Sequence, residues 1–428
     1  MHNFKVSPKI LPMLAFLTLI LVFFGNGPVQ DVQKSVSKPM VRKTVADTME
    51  LKRYQVKQRE LMLAVKSYFD AAIASGKIVG AGVSIVKGDS ILVSEGFGRK
   101  NAKRPDKVDQ ETIFRLGSLS KGFAGVLAAS LKNDGLLDWN DRISDYVPKF
   151  QLGDIENTQK ITLANILSHT SGTPYHSFTN LVEAGLSPKD IASRFKTVVP
   201  ISEPGTIYSY QNAMFALCGE VVRQKTGQDL KSVFTERIFR PLGMHTVNMD
   251  HVTLVGSQNR AISHSNTSKG WKPQKLKDNY YNAIAAGGIN ASALDMAKWI
   301  RFLLGHNPEV LEESALNEAF TPFIEVKGHS KYYQRWPGHL KSYYGFGWRI
   351  HEYVDRFTRE TKTMVHHGGS VNDFRNEIAL FPDEDFGICV LLNSHSKMAS
   401  RVIPDVQAIF QKVYHQDDPV QKIDPINS

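Results

Sequence analysis

The chain reads as an α/β protein of the α+β type: an antiparallel sheet flanked by helices and interrupted by an all-helical subdomain. Three observations predict this. An early hairpin, "AGVSIVKGDSILVSEGFG" at 81–98, has two β-rich runs separated by Gly88 and Asp89, residues that tolerate the backbone of a tight reversal. Four more strand-like runs, "GFGWRI", "TKTMVHHG", "FRNEIALFP" and "FGICVLLN", arrive only some 250 residues later, from 345 onward. Between them, residues 121–304 are helix-rich and punctuated by the turn clusters "SHTSGTP", "SEPGT" and "AAGGIN". A cleft is expected at the seam between the sheet and the helical part.

Taken in order, Lys5 and Lys9 precede an apolar run from Ile10 to Phe24. That is the order of an export signal, and the run is short against the roughly twenty residues of a spanning helix. Residues 1–27 are therefore read as a signal peptide or N-terminal membrane anchor, which implies a periplasmic or extracellular location. Residues 28–48 are polar and aperiodic, as in a linker. The folded part is expected over 49–414. It opens with a helix carrying Leu61, Val65, Tyr68 and Ala72 at helical spacing, ending before Gly76. A helix around 403–413 should close it, and 415–428 reads as a frayed tail.

The 428 residues are 42% hydrophobic, enough for a large core, and carry a net charge of +10. The basic residues are scattered rather than interleaved with aromatics, which argues against nucleic acid as a partner. The basic stretch 52–66 reads as a solvated helix face, with cell-wall or membrane-surface contact as the alternative. The two cysteines, Cys218 and Cys389, both lie in apolar runs. They offer neither a disulfide framework nor a metal pair, and read as small buried hydrophobes.

The chemistry-bearing stretch is "FRLGSLSKGF" at 114–123. If Gly117 closes a turn and Ser118 opens a helix, Ser118 and Lys121 share a face, three residues apart. A serine hydroxyl needs a base to become a nucleophile. A lysine neutralised by burial and nearby positive charge can be that base, and the helix N-terminus favours developing negative charge. Ser120 is the rival serine, but it points to another part of the helix.

Here the sequence resembles the serine hydrolases of the class C beta-lactamase and penicillin-binding-protein fold, including D,D-carboxypeptidases, D-aminopeptidases and beta-lactamase-like esterases. The resemblance spans roughly 61–410. It is carried in order by "FRLGSLSKGF", "LANILSHTSGTP", "EPGTIYSYQNAMFALCGEVV", "AAGGINASALDMAKW" and "HHGGSVNDF". It implies a beta-lactamase/transpeptidase-like fold, no cofactor and no metal. It also implies Ser118 as the acylated nucleophile and Lys121 as its base. Tyr210 and Asn212 match a Tyr-x-Asn element, the phenol relaying protons and the amide orienting substrate and lysine. A phenol beside an ammonium is expected to share its proton more readily than a free one.

His367 to Gly369 match the third element in its His-x-Gly form, with His367 as a catalytic group and His366 as the one-residue alternative. Gly369 would let substrate lie flat on the strand, and the Ser370 N–H would join that of Ser118 as an oxyanion hole. His367 in place of a permanently charged lysine, and Asp373 where many relatives carry glycine, weaken the case for beta-lactam hydrolysis. His169 to Gly172 read as a structural turn, Gly287 and Gly288 as close-packed backbone, and Asp295 as capping or pairing within its own helix. The expected activity is hydrolysis of an amide or ester carbonyl in a small molecule or peptide, first a D-amino-acid wall peptide, then a small ester. The alternatives are a beta-lactamase and a slowly acylating penicillin-binding sensor.

Overall fold

The computed structural model describes residues 45–415. The expected export segment, most of the linker and nearly all of the tail lie outside them. The chain divides after Leu51, and the unit from Lys52 carries the features below.

Eight strands form one antiparallel sheet: β1 (Gly80–Lys87), β2 (Ser90–Gly98), β3 (Ile324–Glu325), β4 (His339–Tyr344), β5 (Arg349–Val354), β6 (Thr361–Val371), β7 (Phe374–Phe381) and β8 (Phe386–Leu392). Their order is β2-β1-β8-β7-β6-β5-β4-β3, so the early hairpin pairs with the last strand. Gly88, at φ +57°, and Asp89 make the β1–β2 turn, where a positive φ costs glycine little.

Helices cover both faces. Helix α1 (Val45–Ala74) begins inside the stretch read as linker. It contributes Leu61, Val65 and Phe69, all fully buried, to a cluster with Ile85, Phe386 and Ile388 of the sheet. Phe69, not Tyr68, takes the core place. Tyr68 keeps its hydroxyl at the rim, donating to Asp405 Oδ2 at 2.8 Å, because a phenol buried without a partner is costly. Helix α2 (Ser120–Asn133) and helix α3 (Ala293–Leu303) join the larger core on the other face, where Phe123 stacks on Trp299 at 4.0 Å. Helix α4 (Ala399–His415) closes the first face, with Phe410 stacked on Phe386 at 3.7 Å. Each such ring contributes about 1.5–3 kcal/mol by leaving water.

The middle of the chain is mostly helical but not wholly so. A small hairpin, His264–Thr267 with Gly270–Pro273, lies within it, and Asn290–Ala291 pairs with Phe114–Arg115. Strands β3 and β4 escaped the sequence reading because β3 is two residues long and "HLKSYY" mixes polar with apolar residues. Asp295 interacts locally with Ser292 at the start of its helix, and its contacts extend beyond the helix. Ser292 caps α3, and the Asp295 carboxylate reaches across to the Thr246 N–H (3.1 Å) and hydroxyl.

Candidate active site

The turn before α2 is gripped from the sheet. Gly117 sits at φ +58°, and a single 3-10 turn, Gly117–Leu119, precedes the α-helix, so Ser118 stands one turn outside α2 rather than opening it. From β7, Asn376 Nδ2 donates to the carbonyls of Arg115 (2.8 Å) and Leu116 (3.1 Å), while its Oδ1 accepts from the Leu392 N–H (3.2 Å). Bare backbone permits the approach. A Cβ on Gly369 would fall 2.1 Å from the Leu116 carbonyl, and one on Gly117 would fall 2.9 Å from the carbonyl carbon of Ser370.

Lys121 is fully buried, and its amine is fully engaged. Nζ donates to Asn212 Oδ1 (2.8 Å) and to the Ala286 carbonyl (2.7 Å), and stands 3.2 Å from Ser118 Oγ. Burial, and then the charge of Arg349, hold this amine well below its usual range. A neutral amine has two N–H groups and one lone pair. With both N–H groups taken, the lone pair faces Ser118. Ser120 supports this from behind: its Oγ accepts from the Ile289 N–H at 3.1 Å, tying down the loop that carries Ala286. Gly287 and Gly288 pack on Tyr280, where a Cβ would lie 2.9 Å from the ring and 2.6 Å from the carbonyl. The Tyr280 hydroxyl accepts from Asn212 Nδ2 at 3.2 Å.

Tyr210 donates its hydroxyl to Ser118 Oγ at 2.9 Å. Its pKa is raised, chiefly by burial, with Arg349 and the Ser118 contact opposing. This differs from the expected easily ionised phenol. Lys121 lies over the Tyr210 ring at 4.9 Å rather than beside its oxygen, and the amine itself tends to neutrality. His169 packs under Tyr210 with ring centroids 4.1 Å apart, and its Nδ1 accepts from the Gln211 N–H at 3.2 Å. It positions the tyrosine segment and is not hydrogen-bonded to Ser118.

A cavity of about 420 Å³ opens over Ser118, Tyr210 and Asn212, bounded by Gly368, Gly369 and Ser370 of β6. That size suits a small molecule or short peptide. His367 is not in its wall. Its ring is buried, with Nδ1 donating to the Gly368 carbonyl (2.8 Å) and Nε2 accepting from the Tyr344 hydroxyl (2.9 Å). Burial and the charges of Arg349 and Lys121 hold it well below the usual imidazole range, so it is neutral. Three cations line the wall instead, Lys331, Arg349 and Arg375, of which Arg349 was unremarked in "GFGWRI". The Arg349 guanidinium lies 4.8 Å over the Tyr333 ring, with Nε and Nη1 buried and unpartnered. A second missed group, Glu377 of β7, also lines the cavity and accepts from the Tyr332 hydroxyl at 2.9 and 2.8 Å. Neither stood out in its strand, since Arg349 precedes His351 and Glu352, and Glu377 follows Arg375 and Asn376. Among the described residues, no group of three or more His, Cys, Asp or Glu is arranged to hold a metal ion.

An antiparallel sheet split by a helical part, with a Ser-x-x-Lys turn at the seam, defines the beta-lactamase/transpeptidase-like fold. The chain belongs to the beta-lactamase family, whose profile matches residues 65–409 and whose members include serine hydrolases. It is similar to the Unguisins hydrolase ungD' of Aspergillus campestris, at 27% identity over 74% of this chain and 59% of that protein. It is also similar to Protein flp of Staphylococcus aureus, at 24% identity over 77% of this chain and 63% of that one. The chain thus spans about three fifths of the length of these relatives. In solved structures the fold recurs in EstCE1, a hydrolase with promiscuous acyltransferase activity (TM-score 0.70, 19% identity, 83% of this chain and 99% of that one). It recurs too in an octameric penicillin-binding protein homologue from Pyrococcus abyssi (TM-score 0.66, 22% identity, 82% and 79%).

Proposed function

We propose that the protein is a metal-independent acyl-serine hydrolase, and that its preferred substrate is a D-amino-acid peptide ending in a carboxylate, with small esters second. The observation that carries this is the saturation of Lys121: two acceptors take its N–H groups and leave its lone pair toward Ser118. Ser118 attacks the carbonyl carbon while its proton passes to Lys121. The Tyr210 hydroxyl then gives its proton to the leaving nitrogen or oxygen and regains the one held by Lys121 through an intervening water. The backbone N–H groups of Ser118 and Ser370 face the developing oxyanion, and Gly369 leaves room for substrate along β6. Water releases the acyl group.

Arg349 favours the carboxylate-bearing substrate. With Arg375 and Lys331 it makes the cavity wall cationic, which suits a carboxylate, and it supplies the permanent charge that His367 lacks. The same cation serves a beta-lactam carboxylate, which keeps beta-lactam hydrolysis as the second reading. Residues 1–27, read as an export segment, put these substrates outside the cytoplasm.

The test is a panel of D-Ala-D-Ala peptides, D-aminoacyl amides, p-nitrophenyl esters and a chromogenic cephalosporin, with Ser118→Ala beside the wild type. Acyl adducts on Ser118 by mass spectrometry and peptide turnover are expected. Turnover that survives Ser118→Ala would refute the mechanism. A stable adduct without product release would favour the slowly acylating sensor.

A further inference from the structure

Four strands of the sheet carry an unbroken line of hydrogen bonds that the proposed chemistry does not use. It starts in the cavity wall at Glu377 of β7, whose Oε2 is 2.8 Å from His366 Nε2 on β6. His366 Nδ1 is 3.2 Å from His351 Nε2 on β5, and His351 Nδ1 is 2.9 Å from Ser342 Oγ on β4. Ser342 Oγ is 2.7 Å from Nε2 of His339, a partly exposed residue at the start of β4. The register builds the line: Gly368 faces Glu377, Met364 faces His351, and Ser342 faces His351, so these residues share one side of the sheet. Gly368 is required as well, since a Cβ there would sit 2.4 Å from the Tyr332 hydroxyl and 2.9 Å from Glu377 Oε2.

We propose that Glu377 is the proton acceptor of the cavity during acyl-enzyme hydrolysis, and that the His366–His351–Ser342–His339 line is a conduit that passes its proton to solvent. The proposal rests on the acyl-serine reading above.

The step balances. In deacylation a C–O bond forms from water to the acyl carbon and the bond from that carbon to Ser118 Oγ breaks. One water proton restores the Ser118 hydroxyl. The second leaves as the product acid ionises, and Glu377 takes it. Every link in the line can act as donor on one side and acceptor on the other. With Glu377 protonated, the protons point outward: carboxyl to His366 Nε2, His366 Nδ1–H to His351 Nε2, His351 Nδ1–H to Ser342 Oγ, Ser342 O–H to His339 Nε2. When each shifts one place and His339 gives its Nδ1 proton to water, Glu377 is a carboxylate again and the line points inward. One proton has crossed and no histidine has become charged.

The electrostatics agree with this. Burial, then Arg349 and His339, hold His351 well below the usual imidazole range, and burial, then His351, Arg349 and His367, do so for His366. His339 is lowered by burial and by His329. Burial pushes Glu377 up to about 8, against Arg375 on its own strand, the Tyr332 hydroxyl and Arg349 from β5; the Cys389 thiol of β8, raised by burial and by Glu377, stays neutral. It therefore exchanges protons near neutrality, as a relay terminus must.

The test breaks the line far from Ser118. Ser342→Ala removes one hydroxyl, and His339→Ala opens the solvent end where folding is not at stake. Both are expected to lower kcat for a p-nitrophenyl ester about tenfold in weak buffer, with KM falling in parallel so that kcat/KM holds, and with recovery as imidazole is added. Glu377→Gln should remove the pH-rate limb near 8. Wild-type kcat in weak buffer for either line variant would overturn the proposal. So would a loss that imidazole does not restore, or a Glu377→Gln profile that keeps the limb. Ser118→Ala is run alongside: if it abolishes turnover while the line variants behave as wild type, only the conduit fails, and if turnover survives, the acyl-serine reading fails first.

Discussion

Lys121 Nζ donates to the backbone carbonyl of Ala286 at 2.7 Å, a contact between the first turn of α2 and a loop 165 residues further on. A backbone carbonyl cannot reorient on demand, so this bond fixes the direction of the amine lone pair. Replacing Lys121 by methionine removes the base and keeps the volume. Ester kcat/KM should fall about 10³-fold, and the melting temperature should fall too, because Asn212 Oδ1 and the Ala286 carbonyl lose their buried donor. Steady-state kinetics and a thermal melt check both.

Arg349→Gln separates substrate classes. Loss of a charge-assisted fork should raise KM for a carboxylate-terminated peptide about tenfold to a hundredfold and leave a neutral ester nearly unchanged. Equal losses on both substrates would contradict the carboxylate role.

Asn376→Ala frees the carbonyls of Arg115 and Leu116 inside the core. Unsatisfied buried acceptors cost about 1–3 kcal/mol, and the turn they hold carries the nucleophile. Denaturant unfolding should show that loss, and kcat should fall with it.

Acid should destabilise the fold steeply below pH 6.5. His169, His351, His366 and His367 are each held well below that value by burial first. The unfolded chain therefore binds more protons there than the native one, and stability falls with falling pH by about 1.4 kcal/mol per unit for each histidine. Glu377 opposes this between 4.5 and about 8, where the native state holds the extra proton. Urea midpoints should climb from pH 5 to about 6.5 and then level off or decline toward 8, where Glu377 alone of these groups still titrates. A flat profile would mean the rings are charged in the native state.

The catalytic spacing was readable because it is local: Ser118 and Lys121 share one turn, and Tyr210 and Asn212 share another. The split sheet was readable because β1, β2, β6, β7 and β8 are apolar runs bounded by turn residues. Strands β3 and β4 were not, because β4 is a strand through its pairing with β5, and β3 through its pairing with β4, rather than through composition. Arg349 and Glu377 stayed hidden for a related reason. Each sits in a strand with other polar residues, and only the fold says which of these faces solvent, a partner or the cavity. His367 shows the reverse: its motif position was plain, but its burial behind Tyr344 depends on a strand that sequence did not supply.

The pairing of β1 with β8 sets Ala81 opposite Leu392. Residues so far apart in the chain meet late, because a long loop must close before the contact is rewarded. Asn376 grips the nucleophile turn with one end of its amide and holds the Leu392 N–H with the other. The turn is thus secured by the same strand that completes the sheet. A nascent or partly folded chain would carry Ser118 and Lys121 but no hydrolytic activity, which makes the order of assembly a safeguard against premature acylation.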